Sequence, residues 1–159
     1  MNDQITRTNG YLARQEIERL RSTLTPRRLE HFGYKVYSQG DEDGIIEEIF
    51  YRLGIYNGTF VEIGVEEGLE CNTHYLLHKG WVGHWFEGNP LQATKISDRF
   101  HTLIKQDKLR VTIAQLTKCN INSLFTSSGL SKEIDFSSQH NSIFCELDLI
   151  LFSNKFNKN

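Results

Sequence analysis

Nothing in these 159 residues approaches the ~18 consecutive apolar residues of a membrane-spanning helix. The opening Met1 to Gly10 is polar and has no apolar core of a signal peptide. Cysteine is scarce: Cys71, Cys119 and Cys145 are widely spaced and odd in number. That argues against a disulfide framework and reads as thiols of a reducing compartment. Net charge is small as well, at -2, so there is no global pull toward nucleic acid or an anionic membrane. No internal repeat or low-complexity tract is present. The expectation is a cytosolic chain with room for one domain and a modest core. Its 38% hydrophobic and 24% charged residues are those of an ordinary globular protein.

Proline occurs twice, and both residues fall at helix boundaries. Pro26 ends an expected helix over residues 11 to 25, in which Leu12, Ile17, Leu20 and Leu24 share a face among Arg14, Glu16, Glu18, Arg19 and Arg21. This reads as a solvated helix docking on the domain, or else as a partner or membrane-surface helix with a thin stripe. The spacing of Ile45, Ile46, Ile49, Phe50 and Leu53 predicts a second helix, with Asp41 as N-cap and Gly54 as its left-handed stop. An EF-hand reading of Asp41 and Asp43 fails, because the glycine falls at loop position 4 and Arg52 at position 12.

The turn Asn57-Gly58 leads into a buried-type strand, Thr59 to Ile63. A helix follows from about Asn72 to Lys79, capped by Asn72 or Thr73 and ended by Gly80. Trp81 to Phe86 is a second strand that ends in Glu87, and Asn89-Pro90 opens a helix to about Phe100. Leu109 to Ala114 is a third strand, and Asn120 to Thr126 a short helix. This β-α-β-α-β alternation implies a Rossmann-like α/β fold with an open parallel sheet and right-handed crossovers.

In such a sheet, ligands bind outside the carboxyl ends of the strands. That places Val61-Glu62-Ile63-Gly64-Val65-Glu66-Glu67-Gly68 at the site, where Gly64 and Gly68 permit close backbone approach. Glu87, 19 residues beyond Gly68, can accept both ribose hydroxyls of an adenosine group. The dinucleotide fingerprint fails, since it needs glycine where Glu66 and Leu69 stand, and no Walker A pattern is present. Glu62, Glu66 and Glu67 would repel a pyrophosphate. A cationic ligand such as S-adenosylmethionine, with its sulfonium and ammonium, suits the acidic loop better.

Phe60-Val61-Glu62-Ile63-Gly64 with Gly68, then Trp85-Phe86-Glu87-Gly88, resembles motifs I and II of class I S-adenosylmethionine-dependent methyltransferases. Tyr37-Ser38-Gln39-Gly40-Asp41-Glu42-Asp43-Gly44-Ile45-Ile46 and Asn72-Thr73-His74-Tyr75-Leu76-Leu77 are similar to FkbM-type members and relatives from bacterial polysaccharide gene clusters. The resemblance implies that Glu62 and Gly64 bracket the amino-acid end of the cofactor, with Gly68 in the same loop and Glu87 on the ribose. It also places Ser38, Gln39, Asn72 and Thr73 along the pocket, although caps and turns explain these four equally well. The implied acceptor is a sugar or small molecule; the catalytic residues are not identified. Where the family has a middle glycine in the loop, this chain has Glu66, which either points outward or weakens cofactor binding.

The family's fourth strand carries acidic residues at its carboxyl end, in a segment resembling I-D-x-D-G. Here Glu133 to Phe136 starts such a strand, and Ser137 to Ser142 is expected to break it. The division expected is a helical segment over residues 1–33, a partial Rossmann-like methyltransferase domain over 34–136, and an aberrant tail over 137–159. A sheet of three to four strands would then be incomplete. Its first strand would keep a bare edge open to self-association unless the run Ile143 to Phe152 filled it. Such a truncated chain would be inactive, and the other reading is a non-catalytic nucleotide-binding or interaction remnant. Weaker signals stay structural: His74 and His78 have no evident third ligand, Cys71 reads as a small buried thiol, and Trp81, Trp85 and Phe86 as core.

Overall fold

The elements in chain order are α1 (Asn2–Leu20), a 3-10 turn (Leu29–Phe32), α2 (Glu42–Leu53), β1 (Thr59–Ile63), α3 (His74–His78) and β2 (Val82–Glu87). They continue with α4 (Pro90–Arg99), α5 (His101–Lys105), β3 (Leu109–Ile113), α6 (Ile121–Ser127) and β4 (Phe136–Gln139). These come from a computed structural model that describes residues 2–23, 28–117, 119–127 and 134–139. The chain divides into two units: Met1–Asn57 with Gly68–Gly80, and Gly58–Glu67 with Trp81–Asn159. No helix among the described residues is long and apolar enough to cross a membrane.

The second unit holds a four-stranded, all-parallel sheet in the order β3-β2-β1-β4, the Rossmann order. Apolar side chains pack on both of its faces, most tightly around β1 and β2. On one face Val61, Phe86, Leu116 and Ile121 form an apolar cluster with Ile63, Leu124, Phe125 and Ile134. On the other, Trp85 meets Phe100 edge-on at 5.0 Å, and Ala93 and Ile96 of α4 are buried. Phe60 lies opposite Gly83, where a Cβ would overlap its ring, so glycine is required by packing there. Trp81, Trp85 and Phe86 are core residues, as their pattern predicts.

The expected break at Ser137 does not occur. Phe136, Ser137, Ser138 and Gln139 pair with Phe60, Val61, Glu62 and Ile63, so β1 is flanked on both sides. Strand pairing is made by backbone groups, and a hydrogen-bonded neighbour overrides the turn preference of serine and glutamine. Asp135 anchors the start of this pairing, accepting the Thr59 N–H at 2.9 Å and donating its own N–H to the Thr59 carbonyl at 2.8 Å. The run Ile143 to Phe152, the tail from residue 140, Cys145 and the helix stop at Pro26 lie outside the described residues.

In the first unit, α1 begins at Asn2 and ends at Leu20, rather than spanning 11 to 25. Leu12 is exposed, and the docking side is a seam of Arg7, Gly10, Arg14, Ile17 and Arg21, spaced alternately three and four apart. Arg14 pairs with Glu47 at 2.9 Å and Arg21 with Glu48 at 2.5 Å. Gly10 lies so close to the Lys35 carbonyl that no Cβ fits, and Ile17 packs on Tyr34, Val36, Tyr37 and Tyr75. Asp41 takes the N-cap position of α2 but makes no side-chain cap bond. Instead the Glu42 carboxylate accepts the Gly40 N–H at 2.7 Å, and Asp43 turns back onto the preceding loop. Gly54 is left-handed (φ 70) and its N–H reaches the Phe50 and Tyr51 carbonyls, as expected of the stop. Thr73 is the N-cap residue of α3, likewise without a side-chain cap bond.

Tyr37 stacks on His74 at 3.9 Å and on His78 at 4.8 Å, with the Arg7 guanidinium 4.6 Å from the Tyr37 ring centre. Burial pushes His74 down to about 3, and burial and Arg7 lower His78. In the sheet, burial pushes His84 down to about 4; its Nε2 lies 2.7 Å from Thr112 Oγ1. All three folded values lie below that of an unfolded histidine, so the unfolded chain takes up protons first on acidification. The stability these groups give is complete above pH ~6.5 and lost as pH falls, at most ~1.4 kcal/mol per pH unit for each. Asp43, whose carboxyl burial pushes up, works in the opposite direction. Thermal melts between pH 7 and 5 should show a falling midpoint, with a shallower slope in His74→Gln and His84→Gln. An unchanged slope in both variants would contradict the assignment.

Candidate functional site

All four strands run the same way, so the ends of β1, β2 and β4 lie at one end of the sheet. The order reverses between β1 and β4, which makes that end the switch point where α/β sheets bind ligands. The backbone leaves β1 through Gly64, left-handed at φ 74, whose N–H donates to the Phe86 carbonyl at 2.8 Å. Val65 turns inward and is buried. Glu66 is also left-handed, at φ 53, which only glycine adopts without strain.

The Glu66 N–H points to Glu87. Glu87 Oε2 accepts it at 2.7 Å, and Oε1 accepts the Asn89 N–H at 2.8 Å. The carboxylate thus pins the turn after β1 to the turn after β2 while remaining 7% exposed. Asn89 in turn caps α4, its side chain accepting the Leu91 N–H at 3.0 Å, with Pro90 in the first turn as expected. The Glu66 residue is exposed. Glu67 turns toward α4, where Lys95 lies 2.5 Å and Arg99 3.3 Å from its carboxylate. The hydrogen bond from Lys95 holds the Glu67 carboxyl below the usual carboxylate range.

The structure thus gathers Glu62, Gly64 and Glu87 in one unit, toward the carboxyl end of its sheet. Glu62 is fully buried in β1, between Trp85 and Ser138 in register. Ser38, Gln39, Gly68, Asn72 and Thr73 belong to the other unit. There Ser38 is fully buried, its hydroxyl donating to the Gly40 carbonyl at 2.9 Å and accepting the Asp43 N–H at 3.3 Å, a turn role. Thr73 is also fully buried, Asn72 half-buried and Gln39 exposed. Gly68 is left-handed at φ 71, which accounts for glycine there. Cys71 is a buried thiol, 3.8 Å from the Gly68 carbonyl.

The acidity that the sequence suggests is reduced, since Glu67 is paired with two cations and Glu87 with two N–H groups. Asp135 lies at the start of β4, opposite Thr59, and so at the far end of the sheet from Glu87. The apolar pattern does not single out Ile113, the register partner of Glu87 on β3, or Leu91, in the first turn of α4. They are 56% and 76% exposed, a large apolar surface for positions that read as ordinary element ends. Among the described residues, no group of three or more His, Cys, Asp or Glu is placed to hold a metal ion.

No family model and no curated protein matches the chain. Solved structures do match it. One is the crystal structure of a provisionally assigned S-adenosyl-L-methionine-dependent methyltransferase from Methanococcus maripaludis, 19% identical, with a TM-score of 0.43. The match covers 66% of this chain and 44% of that protein, so the chain spans less than half of its length.

Replacing Glu66 with glycine should relieve the left-handed strain of about 1 kcal/mol or more, against about 0.4–1 kcal/mol of added unfolded-state entropy. Glu66→Gly is therefore expected to melt at the same temperature as the parent or slightly above it. A melting temperature clearly lowered by differential scanning calorimetry would show that the glutamate side chain itself holds the turn.

Proposed function

We propose that the Gly64–Glu87 end of the sheet binds the adenosine part of S-adenosylmethionine, and that the chain is a methyltransferase-like module acting on a sugar or small-molecule acceptor. The observation that carries this is the Glu87 carboxylate, fixed by two backbone N–H groups at the end of β2 beside the Gly64 turn. Each of its oxygens accepts one N–H and retains a second lone pair, so a ribose diol has two acceptors in a set orientation. Ile113 and Leu91 offer an apolar surface to the base. With Glu66 and Leu69 where a dinucleotide loop has glycines, a pyrophosphate loses their close backbone approach, and the Glu66 N–H is already committed to Glu87. The sulfonium and ammonium of S-adenosylmethionine suit an exposed Glu66 better. On the resemblance, Glu62 and Gly64 face the amino-acid end of that ligand.

A second reading is favoured by the same carboxylate. Glu87 already has a complete structural role, which fits a non-catalytic nucleoside-binding or interaction module equally well. Calorimetric titration separates the cases. S-adenosylmethionine and S-adenosylhomocysteine are expected to bind and NAD not to. Glu87→Gln should weaken binding about 10- to 100-fold, the equivalent of one lost charge-assisted contact. Ile113→Asp should also weaken it without touching the Glu87 hydrogen bonds. Failure of both adenosyl ligands to bind would end the proposal. Binding without release of S-adenosylhomocysteine in the presence of sugar acceptors would favour the second reading.

A further inference from the structure

We propose that Arg99 of α4, aided by Lys95, is a positioning residue that sets the turn after β1 for its ligand; this rests on the reading of that turn as a nucleoside site. Arg99 Nη1 donates to the Glu67 main-chain carbonyl at 3.0 Å, and Arg99 Nη2 lies 3.3 Å from Glu67 Oε2. Lys95, one helical turn earlier, reaches Glu67 Oε1 at 2.5 Å. Two cations on one helix face therefore hold both the side chain and the backbone of residue 67.

The backbone contact carries the argument. The Glu67 carbonyl lies one residue beyond Glu66, which is left-handed at φ 53 and donates its N–H to Glu87. A glutamate holds that conformation only where its surroundings over-determine it. Glu87 grips the turn on the N-terminal side of Glu66, and Arg99 grips it on the C-terminal side. Removing the second grip lets residue 66 return to an extended or right-handed conformation, which turns its N–H away from Glu87 and disturbs the carboxylate meant for the ribose. Lysine cannot replace Arg99 fully, because one ammonium on a flexible stem does not span a carbonyl and a carboxylate as the guanidinium fork does. Lys95 touches the side chain alone, so it matters less.

If Arg99 merely forms a surface ion pair, it adds little to stability and nothing to binding. The test uses the full chain with S-adenosylhomocysteine as the probe, and compares the parent with Arg99→Ala, Arg99→Lys and Lys95→Ala. Amide hydrogen exchange is read at Glu66 and Glu67, affinity by calorimetry, and folding by thermal melting. In Arg99→Ala the melt should be little changed, exchange at Glu66 should rise, and affinity should fall about three- to tenfold. Arg99→Lys should recover part of both, and Lys95→Ala should lose less. Unchanged exchange at Glu66 in Arg99→Ala overturns the proposal, as does raised exchange with unaltered affinity. If the parent chain fails to bind the probe while exchange at Glu66 still rises in Arg99→Ala, the nucleoside reading fails and the hold of Arg99 on the turn stands.

Discussion

A parallel sheet leaves backbone N–H groups at its strand ends that no neighbouring strand pairs, and here one carboxylate collects two of them. Glu87 joins the turn after β1 to the turn after β2 through the Glu66 and Asn89 N–H groups. Other features of that end follow from this grip. Asn89, held through its N–H, is placed to cap α4 with its side chain. The helix so started carries Lys95 and Arg99 back to Glu67, the residue after Glu66. The chain thus closes a ring from Glu87 through Asn89, α4, Arg99 and Glu67 to Glu66 and back to Glu87. Charge-assisted hydrogen bonds of about 1.5–3 kcal/mol at Glu87 dominate the ring, and the exposed pairs at Glu67 add less.

The first unit solves the same problem by the same device. Asp43 Oδ2 accepts the N–H groups of Val36 (2.7 Å), Tyr37 (2.6 Å) and Ser38 (3.0 Å), so one buried oxygen holds three successive residues. Burial pushes the Asp43 carboxyl up and the N–H groups pull it down; with the residue 1% exposed, burial prevails. Glu47 plays the matching part between helices, accepting from Arg14 and Tyr34 and pairing with Lys79. In both units acidic residues organise backbone and cations first, before any ligand is considered.

That division of labour explains what the sequence reveals. Hydrophobic spacing and punctuation are enough for α2 with its Gly54 stop, for β1, β2 and β3, and for the Asn89-Pro90 start of α4, because burial and end effects alone set them. They are not enough for α1, whose docking seam is three arginines, a glycine and one isoleucine, so an apolar count finds Ile17 but misplaces Leu12, which is exposed. Nor do they give β4, where Ser137, Ser138 and Gln139 are held by backbone pairing with β1. At the site, the glycine loop and the acidic strand end are legible and lie side by side. The neutralisation of Glu67 is not, since its partners stand 28 and 32 residues away in sequence. The strained φ of Glu66 is equally invisible, because nothing in the residue type announces it.

The structural role of Glu87 and the ribose role proposed for it use different lone pairs of its carboxylate. An ionised carboxylate has about four acceptor positions, and the two N–H groups occupy one on each oxygen. A buried carboxylate without such partners would shed its charge or draw in water, since an uncompensated ion in a protein interior costs several kcal/mol. The N–H groups offset that cost before any ligand arrives. They also fix the side chain, so binding does not have to order it, which saves roughly 0.5–1.5 kcal/mol for a side chain otherwise immobilised on association. A ribose diol meeting this carboxylate would gain two charge-assisted hydrogen bonds against a surface already oriented, whereas a phosphate would meet like charge and no free donor at Glu66. The structural bonds therefore leave the acceptor positions that the proposed ligand role would use.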